Sequence, residues 1–416
     1  MNAQILQKAQ TAKAATRELV KLTTGEKNHA LKCIAEELDA KRELLKEKNA
    51  IDLKNGAESG LSKAFIDRLE LNDKRINGMI QLLYDVIALK DPCGEVIGMN
   101  TLPNGLKVGQ MRMPLGVVGI IFESRPNVCI EVAALTLKSA NGVILRGGSD
   151  AINSNICLTG IIKNGLAKAG VPSDSVQVIE DTNRELVKDF LSLKDYIDVI
   201  IPRGGLKLIR FVEENSVIPV IRHDLGICHT YVDEHADIDM GISIANNAKV
   251  QRPGVCNSME TLLVHSGIAA DFLPKMKAKF DESGTVMKGC EKTKVILHDI
   301  EAATEEDWST EYLDLIISVK TVDSIEEAIA HINKYGSQHS DAIVSESYAK
   351  GMQFLNEVDS AACYINASTR FTDGNEFGLG AEMGISNQKL HVRGPMGLTE
   401  LTSPKWIVFG NGHIRE

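Results

Sequence analysis

Hydrophobic and polar positions change their rhythm several times along this chain. Over residues 1 to about 92 the apolar residues recur at helical spacing, with Leu31, Ile34, Ala35 and Leu38 sharing one face in an Ala-, Leu-, Lys- and Glu-rich background. The segment reads as a helical lead-in packed on another part of the chain, and the charged run from Lys41 to Lys48 as a solvated helix face. Beyond Pro92, the tripeptide Pro103-Asn104-Gly105 lies between two β-compatible arms and predicts a hairpin over residues 100–112.

From Pro114 the pattern alternates between short continuous apolar runs and helical segments. Strands are expected over 117–122, 142–146, 176–179 and from 198, with helices over 127–140, 152–169 and up to 193. Such βαβ alternation predicts a parallel sheet covered by helices on both faces, with ligands bound beyond the carboxyl ends of its strands. A second α/β unit follows from about His229 to Ile365, with strands expected at 261–264, 294–297, 315–319, 341–344 and 362–365 and a helix over 325–335. After a glycine-rich stretch (371–382), residues 398–409 are again mainly β-compatible. This late strand and the early hairpin are expected to form a small protruding sheet that pairs across a subunit interface.

At 416 residues the chain exceeds what one core usually supports, and two or three domains are expected. No apolar run approaches the roughly 20 residues that cross a bilayer. The N-terminus carries no signal-type apolar core, so a cytoplasmic protein without a membrane role is expected. The net charge of −10 argues against a general nucleic-acid-binding surface, but leaves room for local arginine pockets that hold a small anion. The eight cysteines show no Cys-x-x-Cys pair and no His/Cys ligand spacing, so neither a disulfide framework nor a metal site is expected.

One of those cysteines stands out. In Gln251-Arg-Pro-Gly-Val-Cys-Asn257 a Pro-Gly turn delivers Cys256 to the start of an apolar β-run, where a thiol can meet substrate while the strand behind it fixes its place. Two glycine-rich spots follow strands: Arg146-Gly147-Gly148-Ser149 and Arg203-Gly204-Gly205. A glycine pair there lets the backbone approach a phosphate, and the next helix N-terminus adds amide donors. Neither spot matches a dinucleotide fingerprint or a Walker loop, and tight turns alone explain either one. As a pair on one sheet, each with an arginine, they suggest a phosphorylated dinucleotide.

The segments 113–127, 137–149, 200–205, 255–257 and 366–382 resemble, in order and through nearly the whole chain, the γ-glutamyl phosphate reductase family. These are the glutamate-5-semialdehyde dehydrogenases of the aldehyde dehydrogenase superfamily. The resemblance implies an aldehyde dehydrogenase-like α/β fold, with two Rossmann-like parallel domains and a small β oligomerisation element. It places an NADPH-binding domain at 1–99, 114–228 and 366–385, a catalytic domain at 229–365, and the β element at 100–113 and 386–416. The implied activity is the NADPH-dependent reduction of L-glutamyl 5-phosphate to L-glutamate 5-semialdehyde, with release of phosphate, in proline biosynthesis from glutamate. Glutamate 5-kinase is then a candidate partner, and a homo-oligomer the expected assembly.

By the same resemblance Cys256 is the nucleophile, and Arg125 takes the place of the oxyanion-hole asparagine of hydrolytic relatives. A guanidinium there suits both an oxyanion and a departing phosphate. Arg146 and Ser149 fall where the adenosine ribose and its 2′-phosphate bind, and Gly204 and Gly205 beside the pyrophosphate. The hydrolytic base of the superfamily has Asp224 in its register, shorter by one methylene, which fits reduction better than hydrolysis. Cys228 reads as a core thiol. For the glutamate moiety the candidates are Arg252, Asn257, Arg370 and Glu382, and Arg370 with Glu382 is equally a structural pair. A hydrolytic aldehyde dehydrogenase using Asp224, and a scaffold that only keeps the fold, are the competing readings.

Overall fold

The computed structural model describes residues 2–222 and 225–415. The chain forms two compact units, one of residues 1–222, 378–384 and 396–416, the other of residues 223–377 and 385–395.

Unit 1 begins with the expected helices, Ala3–Leu19, Thr24–Ala40, Arg42–Glu58, Lys63–Leu69 and Asp73–Ala88. The second is started by a capping box in which the Thr23 side chain and Glu26 satisfy each other's backbone amides. Its face of Leu31, Ile34, Ala35 and Leu38 is buried. Gly165, in helix Ile152–Lys168, lets the two helices approach closely, since a Cβ there would lie 2.7 Å from the Ile34 Cα.

The hairpin strands are β1 (Val96–Thr101) and β2 (Lys107–Pro114), joined through the Pro-Asn-Gly turn. The late strand Thr402–Phe409 pairs antiparallel with β2 from Thr402↔Pro114 to Phe409↔Lys107 and completes a three-stranded sheet. Ile97, Met99, Trp406, Val408 and Phe409 are exposed on it.

The main sheet of unit 1 comprises β3 (Val117–Phe122), β4 (Gly142–Gly147), β5 (Val176–Val178) and β6 (Val199–Arg203), all parallel in the order β5-β4-β3-β6. The chain steps outward from β3 to β5 and then returns to β3's other side, which makes the β3/β6 boundary a topological switch point. Val117, Ile121, Ile144 and Ile200 pack with Phe190 in the core.

Unit 2 carries a seven-stranded parallel sheet of β7 (Cys228–Val232), β8 (Met259–His265), β9 (Val286–Gly289), β10 (Glu301–Ala302), β11 (Ile316–Val322), β12 (Ser340–Val344) and β13 (Ala362–Ile365). Its order is β10-β9-β11-β8-β7-β12-β13. One face packs on Phe272 and Phe280, the other on Ile329 and Phe354.

Two expectations are corrected. Residues 294–297, read as a strand, lie at the end of helix Glu291–Ile296; Thr293 and Leu297 face inward while Val295 is 72% exposed, a helical phase that a four-residue apolar run conceals. The domain boundaries also shift. Residues 366–377 were expected with the cofactor domain and 386–395 with the β element, yet both group with unit 2. The cause is visible for the first segment, where the Asn257 side chain donates to the carbonyls of Arg370 and Thr372 and the Thr369 hydroxyl donates to the Asn257 carbonyl.

No helix among the described residues is long and apolar enough to cross a membrane.

Candidate active site

Cys256 stands in the turn between helix Ile238–Val250 and β8, at the amino-end rim of the unit 2 sheet. The rim positions it from several sides. Gly226, just before β7, lies so close that a Cβ would be 2.1 Å from the Cys256 carbonyl oxygen and 2.5 Å from its Cα. The Cys228 thiol donates to the same carbonyl at 3.2 Å. Burial pushes Cys228 well above the usual thiol range, which suits a protonated core donor. Cys256 itself is only partly buried.

A hydrogen-bonded relay backs this turn. The Tyr364 and Ser340 hydroxyls each meet Thr372 Oγ1 at 2.6 Å, Ser340 meets His339 Nδ1 at 2.8 Å, and His339 lies 3.8 Å from Cys228 Sγ.

Asn257 and Arg370 lie together. One Arg370 Nη1 hydrogen donates to Asn257 Oδ1, and its Nε donates to Gln251 Oε1 at 2.8 Å, so the guanidinium spans both ends of the Cys256 turn. Burial lowers the Arg370 pKa first, and the neighbouring Arg252 charge lowers it further, while Cys256 opposes both. Glu382 belongs to unit 1. Asp224 lies outside the described residues.

Segment 311–313 went unread in the sequence. The Glu311 carboxylate accepts the Gly226 N–H at 2.9 Å and is pushed upward by burial. Lys249 and Glu260, on either side of the nucleophile turn, form an ion pair of 2.6 Å with both side chains fully buried. Burial pushes the Glu260 carboxyl up to about 7 and lowers the Lys249 ammonium. The signal was present in the sequence as two charged residues at apolar positions flanking Cys256.

In unit 1 the other candidates collect at the carboxyl ends of β3, β4 and β6. Arg146 is buried and donates to the carbonyls of Gly147 and Thr182, both at 3.0 Å. The second bond draws the loop after β5 against it, and Arg184 of that loop, exposed and unnoticed in the sequence, adds a like charge that with burial lowers the Arg146 pKa. Ser149 is exposed and opens a short 3-10 turn.

At the switch point, Gly205 caps helix Leu206–Asn215, and its N–H donates to Glu123 Oε2 at 3.0 Å. A Cβ on Gly204 would stand 2.5 Å from that oxygen. The glycine pair therefore admits a carboxylate oxygen to the helix N-terminus. Arg125 follows β3 and is exposed; together with Arg203 it opposes the burial that raises the Glu131 carboxyl. Before it, Ser124 takes a left-handed φ of 45° and donates to the Asp150 carboxylate.

The aldehyde dehydrogenase family model matches residues 1–297. A γ-glutamyl phosphate reductase from Clostridium perfringens is 53% identical over 415 residues, covering 100% of both chains, and one from a Sulfurihydrogenibium species is 56% identical, covering 98% of this chain and 93% of that one. The crystal structure of γ-glutamyl phosphate reductase from Thermotoga maritima superposes with a TM-score of 0.98 at 49% identity, over 99% of this chain and 100% of that one. This chain belongs to the γ-glutamyl phosphate reductases.

It is an enzyme of the aldehyde dehydrogenase superfamily, and the two parallel sheets are that superfamily's fold. Its unit 1 arginines and helix-terminal amides lie at the carboxyl ends of β3, β4 and β6, where open α/β sheets take ligands.

Proposed function

We propose that this γ-glutamyl phosphate reductase converts L-glutamyl 5-phosphate to L-glutamate 5-semialdehyde, with NADPH, through a thioester on Cys256. The observation that carries the reading is the presentation of Cys256, in a turn held from behind by Gly226 and Cys228 and flanked by Arg252 and Arg370. Full-length relatives of that name supply the substrate.

The Cys256 thiolate attacks the acyl carbon, the carbonyl electrons move to oxygen, and their return expels phosphate to leave the thioester. Arg125 supplies charge for the oxyanion and the departing phosphate. NADPH, when bound, supplies the hydride that reduces the thioester. Hydride addition leaves the thiohemiacetal as its alkoxide, whose collapse re-forms the carbonyl and returns the Cys256 thiolate.

Arg146, Gly147, Gly148, Ser149, Arg203, Gly204 and Gly205 are the residues of the cofactor site. Because Arg146 is committed to two carbonyls, Arg184 beside it is the better partner for the 2′-phosphate. Arg252, Asn257, Arg370 and Glu382 are assigned to the glutamate moiety. The exposed apolar face of the three-stranded sheet supports a homo-oligomer, and the reading implies a cytoplasmic enzyme fed by glutamate 5-kinase.

The test is the reverse reaction, NADP⁺ with glutamate 5-semialdehyde, followed by absorbance of the reduced cofactor with and without inorganic phosphate. Strict phosphate dependence is expected, since phosphate must resolve the thioester; turnover without phosphate would replace this reading with a hydrolytic one. Cys256→Ala is expected to abolish turnover while NADPH still binds with wild-type affinity.

A further inference from the structure

Lys249 is the penultimate residue of the helix that leads into the nucleophile turn, and Glu260 is the second residue of the strand that leaves it. Their 2.6 Å ion pair closes the turn at its base. Two buried charges of this kind contribute little net stability compared with apolar side chains of similar size, so stability alone does not account for them.

The pair also has a third partner. The other carboxylate oxygen of Glu260 accepts the Leu313 N–H at 3.4 Å. Leu313 has a left-handed backbone, φ 54°, and its carbonyl lies 3.7 Å from where a Gly254 Cβ would be. Two residues earlier, Glu311 holds Gly226, which packs on the Cys256 backbone.

Tyr312, between them, cannot move freely. Its hydroxyl bonds to Asp307 at 2.7 Å and Ser318 at 2.8 Å, and its ring faces the ammoniums of Lys249 and Lys288 at 5.9 and 5.3 Å.

We propose that the buried Lys249–Glu260 pair is a positioning device for the nucleophile: it locks both ends of the Cys256 turn to each other and to segment 311–313. Neither residue acts on substrate; both act through the backbone they hold. The inference rests on the proposed function only in taking Cys256 as the nucleophile.

The test uses the full-length protein with Lys249→Met and Glu260→Leu together, which removes both charges and leaves neither one stranded. Thermal unfolding, steady-state kcat and KM, and the rate of Cys256 alkylation by iodoacetamide, read by mass spectrometry of its peptide, are measured in parallel. The expected result is a folded enzyme with KM within about twofold of wild type, kcat down at least about tenfold, and a changed alkylation rate. Lys249→Arg, which keeps the pair, should restore most of the rate.

A folded double variant with wild-type kcat and wild-type alkylation overturns the proposal. Should that variant not fold, Glu260→Gln carries the test, because it keeps the size and an acceptor for Leu313 while losing the ion pair. Wild-type alkylation and kcat there overturn it equally. Alkylation needs no turnover, so it reports on the turn even if Cys256→Ala were to show that catalysis runs elsewhere.

Discussion

Gly226 leaves no room for a side chain against Cys256, whose carbonyl oxygen would lie 2.1 Å from a Cβ at that position. The contact is to backbone, which cannot swing aside as a flexible side chain would. Gly226→Ala must therefore displace the nucleophile turn. Misplacement of a reacting atom by about an ångström costs on the order of 10²-fold, and a kcat loss of that size is expected, with the protein folded and cofactor affinity retained. Parallel kcat and NADPH-binding measurements check it.

Arg125→Ala tests the oxyanion and phosphate role. Removing one such donor lowers kcat on the order of 10²- to 10³-fold. Arg125→Lys keeps the charge but loses the planar fork and should recover only part of that loss. A variant that changes melting temperature alone would return Arg125 to a structural role beside Glu131.

Arg184→Ala should weaken NADPH and spare NADH. A hydrogen bond to a charged group is worth about 1.5–3 kcal/mol, so a loss of about tenfold or more in NADPH affinity is expected. Cofactor fluorescence titrations with both dinucleotides decide it. Equal losses for the two would place Arg184 on the common part of the cofactor.

Acid stability should depend on His331. Burial, with help from the His229, Lys320 and Lys334 charges, lowers this imidazole from its ordinary 6.5 to about 2. Its ring packs against Trp308 and Tyr335. The folded form thus stays neutral while the unfolded chain takes up a proton below pH 6.5, so unfolding binds protons and stability falls as pH drops. The slope per proton is about 1.4 kcal/mol per pH unit. His331→Phe should flatten the decline between pH 6.5 and 5 in urea titrations; an unchanged slope would assign it to other groups.

Much of this architecture was legible in the sequence because buried parallel strands announce themselves. Val117–Phe122 is a continuous apolar run, Val143 to Leu145 a shorter one between glycine-flanked ends, and the Pro-Asn-Gly turn marks the hairpin. Residues 294–297 were misread because four residues are too few to separate a strand from the end of a helix.

At the candidate site, Cys256 is singled out by the local signature of its Pro-Gly turn. Lys249 and Glu260 were passed over although their charges break apolar positions beside it, whereas Gly226 and Glu311 meet the turn only across the amino-end rim of the sheet. Only strand order brings together residues that lie tens of positions apart. Arg146 shows the converse limit: its neighbourhood was located, but its donors are spent on main-chain carbonyls, a fact no spacing conveys.

The pairing of β2 with Thr402–Phe409 also sets an order of events during synthesis. The hairpin emerges early, but its third strand follows roughly 290 residues later, a wait of roughly 15–60 s at ordinary elongation rates. Unit 1 needs residues 378–384 and 396–416 to close, whereas residues 223–377 of unit 2 form one uninterrupted stretch. The nascent chain therefore carries an apolar hairpin with an open edge while unit 2 is still being made. That interval is where a chaperone, or a second nascent chain, would meet it.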